Sequence, residues 1–194
     1  MPSDYVLWVS RNVDHAAVLG TLHGVDKQYE LNDGVPRAAT WTAAARYTMN
    51  PDFPHDTLLT DALINTDQLV VGSDRLKKFL EGRKVNEVEY LPVTVMNHKN
   101  RPAGTDYFII NPIHPVDCLD VDASDVTWSM IDETQVESVG RLVLDPSRVD
   151  KDRELFRVAN FPNVTLARRD LAQAMDKQSF TGVRWVELDQ YPED

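Results

Sequence analysis

Apolar and polar positions along this chain follow two periods, and the switch between them marks its most legible elements. In "DQLVVGSDRLKKFLEGRKVNEVEYLPVTV", Leu69, Val70 and Val71 predict a short buried strand, and Ser73 stands where a helix N-cap belongs. Leu76, Phe79 and Leu80 then recur at i, i+3 and i+4, one face of a helix. Val88, Tyr90 and the Pro92-Val93 pair start a second strand.

The same template returns 95 residues later without a gap. Val71, Leu76, Leu80, Val85, Val88, Tyr90 and Val93 fall on Leu166, Leu171, Met175, Phe180, Val183, Trp185 and Leu188. A duplicated building block gives this pattern, and so do two unrelated amphipathic helix–strand pairs. Two copies are fewer than the ~3 repeats a solenoid needs, so both units are expected in one globular core.

Other stretches are less regular. "SDYVLWVSRN" has the apolar density of a short strand, and "VDHAAVLGTLHGV" reads as a loop or a weak helix broken at Gly20 and Gly24. Gly34, Pro36, Pro51 and Pro54 predict an irregular segment over residues 33–56, holding a short strand or a helical turn. Residues 107–110 form a strong strand before Pro112 and Pro115, and Leu142, Val143 and Leu144 lead into an Asp-Pro turn. The sum is an α+β fold with a mixed or mainly antiparallel sheet. Residues 1–194 are expected as one domain, with similar strand–helix–strand units over 69–93 and 164–188 and little readable structure in 1–57.

With 194 residues and 42 % apolar content, the chain can bury a substantial core. The single cysteine, Cys118, excludes an intramolecular disulfide or a cysteine zinc cluster and agrees with a reducing compartment. No run approaches the roughly 18 to 20 apolar residues of a membrane span, and "YVLWV" is too short for a signal sequence, so the cytoplasm is the expected location.

Charge changes the picture more. The net charge is −11, and residues 102–140 hold eight carboxylates and no Lys or Arg, whereas the flanking parts are nearly balanced. Such a field repels nucleic acid and anionic membrane and attracts a basic partner. A solvated acidic face kept for solubility gives the same numbers.

The densest part is "PVDCLDVDASD", with Asp117, Asp120, Asp122 and Asp125. As a calcium loop starting at Asp120 it fails, because Asp125 and Ile131 occupy the positions that need Gly and Glu. A metal-dependent hydrolase built on Asp117, Asp120, His114 and a divalent ion lacks any diagnostic spacing. Read as an extended segment, Val116, Cys118, Leu119 and Val121 turn inward and Asp117, Asp120 and Asp122 face water, where nothing raises a carboxyl pKa for acid catalysis. Phosphate-loop, dinucleotide, serine-elbow and zinc-protease motifs are absent, and His15, His23, His55, His98 and His114 are scattered. Cys118 sits four residues from His114, but its apolar, acidic setting raises a thiol pKa and marks a small core residue.

Taken in order, "LVVGSDRLKKFLE…VNEVEYLPVTV", "YFIINPIHPVDCLDVDASD" and "GRLVLDPSRV…ELFRVANFPNVTLARRDLAQAM…FTGVRWVEL" resemble the predicted immunity proteins of bacterial polymorphic toxin systems. The family is the one numbered eleven and named for a Myxococcus xanthus member. The resemblance covers roughly residues 58–188. Gly72, Gly82 and the Ala167-Arg168-Arg169 run depart from clean helix boundaries.

The resemblance implies a non-enzymatic protector without cofactor or metal, made beside a toxin and binding it. Its partner is then a cognate toxin domain with a basic surface, met by Asp117, Asp120, Asp122, Asp125, Asp132 and Glu133. An adaptor domain binding some other protein would look the same in sequence.

Overall fold

The unbroken apolar run near the N-terminus is a strand with both faces covered. In the computed structural model, which describes residues 3–192, β1 (Tyr5–Ser10) lies inside a four-stranded antiparallel sheet. The order is β10 (Leu155–Val158), β11 (Phe161–Arg168), β1, β12 (Val183–Glu187). Successive side chains alternate sides, so Tyr5 and Leu7 enter one apolar layer while Val6 and Trp8 enter another. A strand buried on both faces loses the apolar–polar alternation of a half-exposed one.

The second sheet closes on itself. Strands β2 (Val18–His23), β3 (Arg46–Met49), β4 (Ala62–Asn65), β5 (Val70–Ser73), β6 (Val88–Met96) and β7 (Pro102–Pro112) form a barrel in the order β2-β3-β6-β7-β5-β4. The pairs β2–β4 and β3–β6 are parallel and the others antiparallel. Its interior is filled by side chains such as Leu19, Tyr47, Leu63, Val71, Leu91, Val93 and Ile109. The α+β class and the mixed sheet therefore hold, with closure into a barrel added.

Part of that closure comes from a stretch read in sequence as a loop or weak helix. It is strand β2 instead. Its register against β3 shifts between Leu19 and Leu22, and the irregularity turns both leucines inward at a three-residue spacing that mimics a helical face. The irregular stretch that follows holds a 3-10 turn, Ala38–Thr40, and strand β3.

Helix α1 (Asp74–Arg83) is capped by Ser73, whose hydroxyl accepts from the Leu76 amide at 3.3 Å, and it ends at Lys84 in the left-handed region. Helix α2 (Arg169–Asp176) starts at Arg168 with no side-chain cap. The Arg168 guanidinium instead pairs with Asp170 in the first turn, at 2.6 Å. Each helix joins two strands that run in the same direction with one antiparallel strand between them: β7 between β5 and β6, and β1 between β11 and β12.

Both helices bury their apolar faces in a single layer between barrel and sheet. Leu76, Leu80 and Val85 meet Leu171, Ala172 and Met175 there, with Val6, Trp8 and Ile110. Edge-on aromatic pairs, Phe79 with Phe180 at 5.4 Å and Trp8 with Trp185 at 5.3 Å between ring centroids, extend it. Of the seven position pairs aligned in sequence, the middle five lie in or against this layer. At the ends, Val71 and Val93 enter the barrel interior, whereas Leu166 and Leu188 enter the layer beyond the sheet.

Polar contacts fasten the margins of the layer. The Asp61 carboxylate accepts from the Thr181 amide at 2.9 Å, the Thr181 hydroxyl at 3.0 Å and the Arg75 guanidinium at 3.0 Å. Gly182, at φ +81°, lies so close to β4 that a Cβ would stand 2.1 Å from the Ala62 carbonyl oxygen. The buried Glu154 carboxylate bridges Arg83 of α1 at 2.8 Å and Arg168 at 2.7 Å.

Replacing Leu80 or Met175 by Asp puts an unpaired carboxylate into this layer. Each change is expected to cost on the order of several kcal/mol and to abolish or sharply lower the thermal transition. A wild-type melting temperature in either variant would contradict the assignment.

Candidate functional site

The chain leaves β7 at Pro112 and re-enters the sheet at β10, and the intervening acidic excursion is laid over the sheet face that the helices do not use. Cys118, Leu119, Val136, Val139, Leu142 and Val149 bury against Tyr5, Leu7, Phe156 and Leu166. Gly34, at φ +64°, lets the backbone sit under Pro115, where a Cβ would stand 2.8 Å from the proline ring, and its carbonyl accepts from the His114 amide at 3.1 Å. Further on, the Val116 amide donates to the Arg157 carbonyl at 2.9 Å and the Asp120 amide to the Val143 carbonyl at 3.0 Å.

On this base the six candidate carboxylates occupy three places. Asp117 is exposed, 3.8 Å from the Arg148 guanidinium. Asp120, Asp122 and Asp125 share one tight turn. Asp120 accepts from the Ala123 amide at 3.0 Å, Asp122 is exposed, and Asp125 sits at φ +50° with its carboxylate 3.6 Å from Arg141. Asp132 and Glu133 lie on the connection of a hairpin made by β8 (Val126–Trp128) and β9 (Val136–Val139).

Two features differ from the sequence reading. Val121, expected inward, is 41 % exposed. The chain turns there, and the buried Ser124 hydroxyl takes over the inward contacts, donating to the Val143 carbonyl and accepting from the Val143 amide, both at 3.1 Å. Arg141 and Arg148 also fold back on the aspartates from outside the basic-free stretch, so Asp117 and Asp125 are partly neutralised.

The spread of the carboxylates has a chemical consequence. Among the described residues no group of three or more His, Cys, Asp or Glu side chains is placed to hold a metal ion. His114 is exposed and its imidazole contacts the Glu87 carboxylate rather than Asp117 or Asp120. Cys118 is fully buried, and burial, reinforced by Asp117, pushes its thiol up to about 12.

The hairpin brings forward residues that the sequence reading missed. Met130 is 95 % exposed and Ile131 99 %, beside the partly exposed Trp128. Polar contacts fix the turn that carries them. The Ser129 hydroxyl accepts from the Ile131 and Asp132 amides at 3.2 and 3.3 Å, and Asp132 accepts from the Thr134 amide at 3.0 Å and hydroxyl at 2.6 Å. Those bonds from Thr134 hold the Asp132 pKa below the usual carboxylate range, so it is charged at neutral pH. Between the hairpin and the 3-10 turn Gln28–Leu31 lies an open cleft of about 540 Å³ lined by Tyr29, Asp33, Asp132, Gln135 and Glu137. The signal available in sequence was "WSMID", three large apolar residues next to a Ser and an Asp that favour turns.

A family model described as the immunity protein family Imm11 matches residues 12–190 of the chain. No curated protein matches it.

Burial and the raised pKa of Cys118 predict that a thiol-specific reagent at neutral pH leaves the folded protein unlabelled and labels it fully in denaturant. Rapid labelling of the native state would contradict the placement of this side chain in the outer layer.

Proposed function

The chain belongs to the immunity protein family Imm11, and on that premise we propose that it binds and neutralises a cognate bacterial toxin domain without catalysis, presenting its acidic segment to a basic toxin surface. The match over residues 12–190 carries the reading. The charge distribution supports the choice of surface. Asp117, Asp120, Asp122, Asp125, Asp132 and Glu133 stand on the outer side of the sheet, on a scaffold fastened by its own apolar layer. Exposed carboxylates there speed encounter with a basic partner and fix its register, and they repel nucleic acid and anionic membrane.

In this reading residues 1–194 act as one immunity domain of a polymorphic toxin system, working in the cytoplasm. The two strand–helix–strand units are copies of one building block facing each other across a shared layer, a view supported by the parallel fates of their aligned residues. No described helix is long and apolar enough to cross a membrane.

The test is binding kinetics against an inactivated form of the cognate toxin domain, comparing wild type with Asp120→Asn, Asp122→Asn and Asp125→Asn combined. Asn preserves the oxygen that caps Ala123 and tolerates the positive φ at position 125, so the fold is retained. The on-rate is expected to fall roughly tenfold at low salt, and its salt dependence to flatten, because steering between exposed charges is screened over ~8 Å at physiological ionic strength. Equal on-rates and equal salt slopes would remove this turn from the interface.

Absence of catalysis has its own check. Cys118→Ala and His114→Ala are expected to leave protection of a toxin-exposed cell intact. Loss of protection by a folded variant that still binds the toxin would require an enzymatic mechanism.

A further inference from the structure

We infer that the tip of the β8–β9 hairpin, Met130 and Ile131 with Trp128 beside them, is the apolar anchor of the toxin complex. The surrounding carboxylates form the rim that guides it into place. This deepens the reading above and rests on it.

Exposure is the first argument. Single apolar side chains on a surface are ordinary, but here two adjacent ones are 95 % and 99 % exposed with a half-exposed indole next to them. Their environment is the second. Ser129 and Asp132 bracket the pair and hydrogen-bond the backbone of the turn, and the Ser129 amide closes it by donating to the Gln135 carbonyl at 2.9 Å. The tip is therefore held in one shape that presents apolar side chains to solvent, which adds nothing to the stability of the free protein. With the backbone of the turn already fixed, insertion costs only the ordering of the side chains, which leaves more of the burial as affinity.

Charge selects the occupant. Asp132 and Glu133 lie on the tip itself, and Asp33 and Glu137 line the adjoining cleft together with Tyr29, which is 61 % exposed. A second copy of this chain would bring the same carboxylates against themselves, and an anionic membrane would be repelled. A toxin surface with an apolar pocket edged by Lys or Arg satisfies both parts: the pocket takes Met130 and Ile131, and a basic side chain next to it meets the carboxylates and the tyrosine ring. The outer turn with Asp120, Asp122 and Asp125 then governs mainly the encounter, and the hairpin tip the lifetime of the complex.

The experiment uses the full chain and the same inactivated toxin domain. Met130→Ser combined with Ile131→Ser removes only solvent-exposed apolar groups, so the melting temperature should stay at the wild-type value. The off-rate is expected to rise about 30-fold or more, with the on-rate and its salt slope unchanged. A folded double variant with the wild-type off-rate would overturn the anchor while leaving toxin binding in place. Failure of the wild type to bind the toxin domain would overturn the proposed function and the anchor with it. Self-association of the free wild type that the double substitution abolishes would assign the tip to a second copy and overturn the toxin as its occupant.

Discussion

The apolar layer between the two helices is the constraint on which the rest of the architecture depends. It receives side chains from α1 and α2, from the outside of the barrel through Ala62, Val70 and Ile110, and from one face of the sheet through Val6, Trp8, Leu155 and Ala167. Burying one such Leu or Val contributes roughly 1.5–3 kcal/mol, whereas a surface ion pair contributes about 0–1 kcal/mol and the attraction within a buried one is largely offset by desolvation. The layer therefore holds barrel to sheet. Contacts such as Asp61 with Arg75 and Thr181, or Glu154 with Arg83 and Arg168, fix the angle at which the parts meet and satisfy polar groups that packing leaves at its margins.

That arrangement leaves the other face of the four-stranded sheet free for a different use. An isolated two-stranded hairpin is at best marginally stable in water, and strands of three and four residues cannot hold a shape alone. Here Val136 and Val139 on one side of β9 sink into the outer layer, and Cys118, Leu119 and Leu142 anchor the segment around them. The polar turns projecting from it are thereby fixed in space. On this scaffold the pKa values of Asp132 and Asp145 are held below the usual carboxylate range. Both shifts result chiefly from hydrogen bonds within their own turns.

How much of this was legible in the sequence follows from where side chains decide structure locally. Helix α1 was readable because its cap, its apolar stripe and its end all lie within a dozen residues, and α2 because the stripe alone is strong. Strand β2 was not, because its irregular register against β3 gives Leu19 and Leu22 a helix-like spacing, and without β2 and β3 no barrel can be closed. Val121 faces outward because a turn fixed by the contact of Ser124 with the distant Val143 interrupts the local alternation that predicts it inward. The acidic residues were visible as composition, but the partial neutralisation by Arg141 and Arg148 depends on how the chain folds back. The hairpin tip leaves no periodic signal in the sequence, because its strands are too short to show one.

Under the proposed function, the excursion between β7 and β10, and not the barrel, faces the toxin. Hydrogen–deuterium exchange of the full chain, alone and with the inactivated toxin domain bound, tests it most directly. Slowed exchange is expected in peptides covering residues 117–141, with the barrel strands β2 and β3 unchanged. Protection confined to the barrel, with residues 117–141 exchanging as in the free protein, would contradict it.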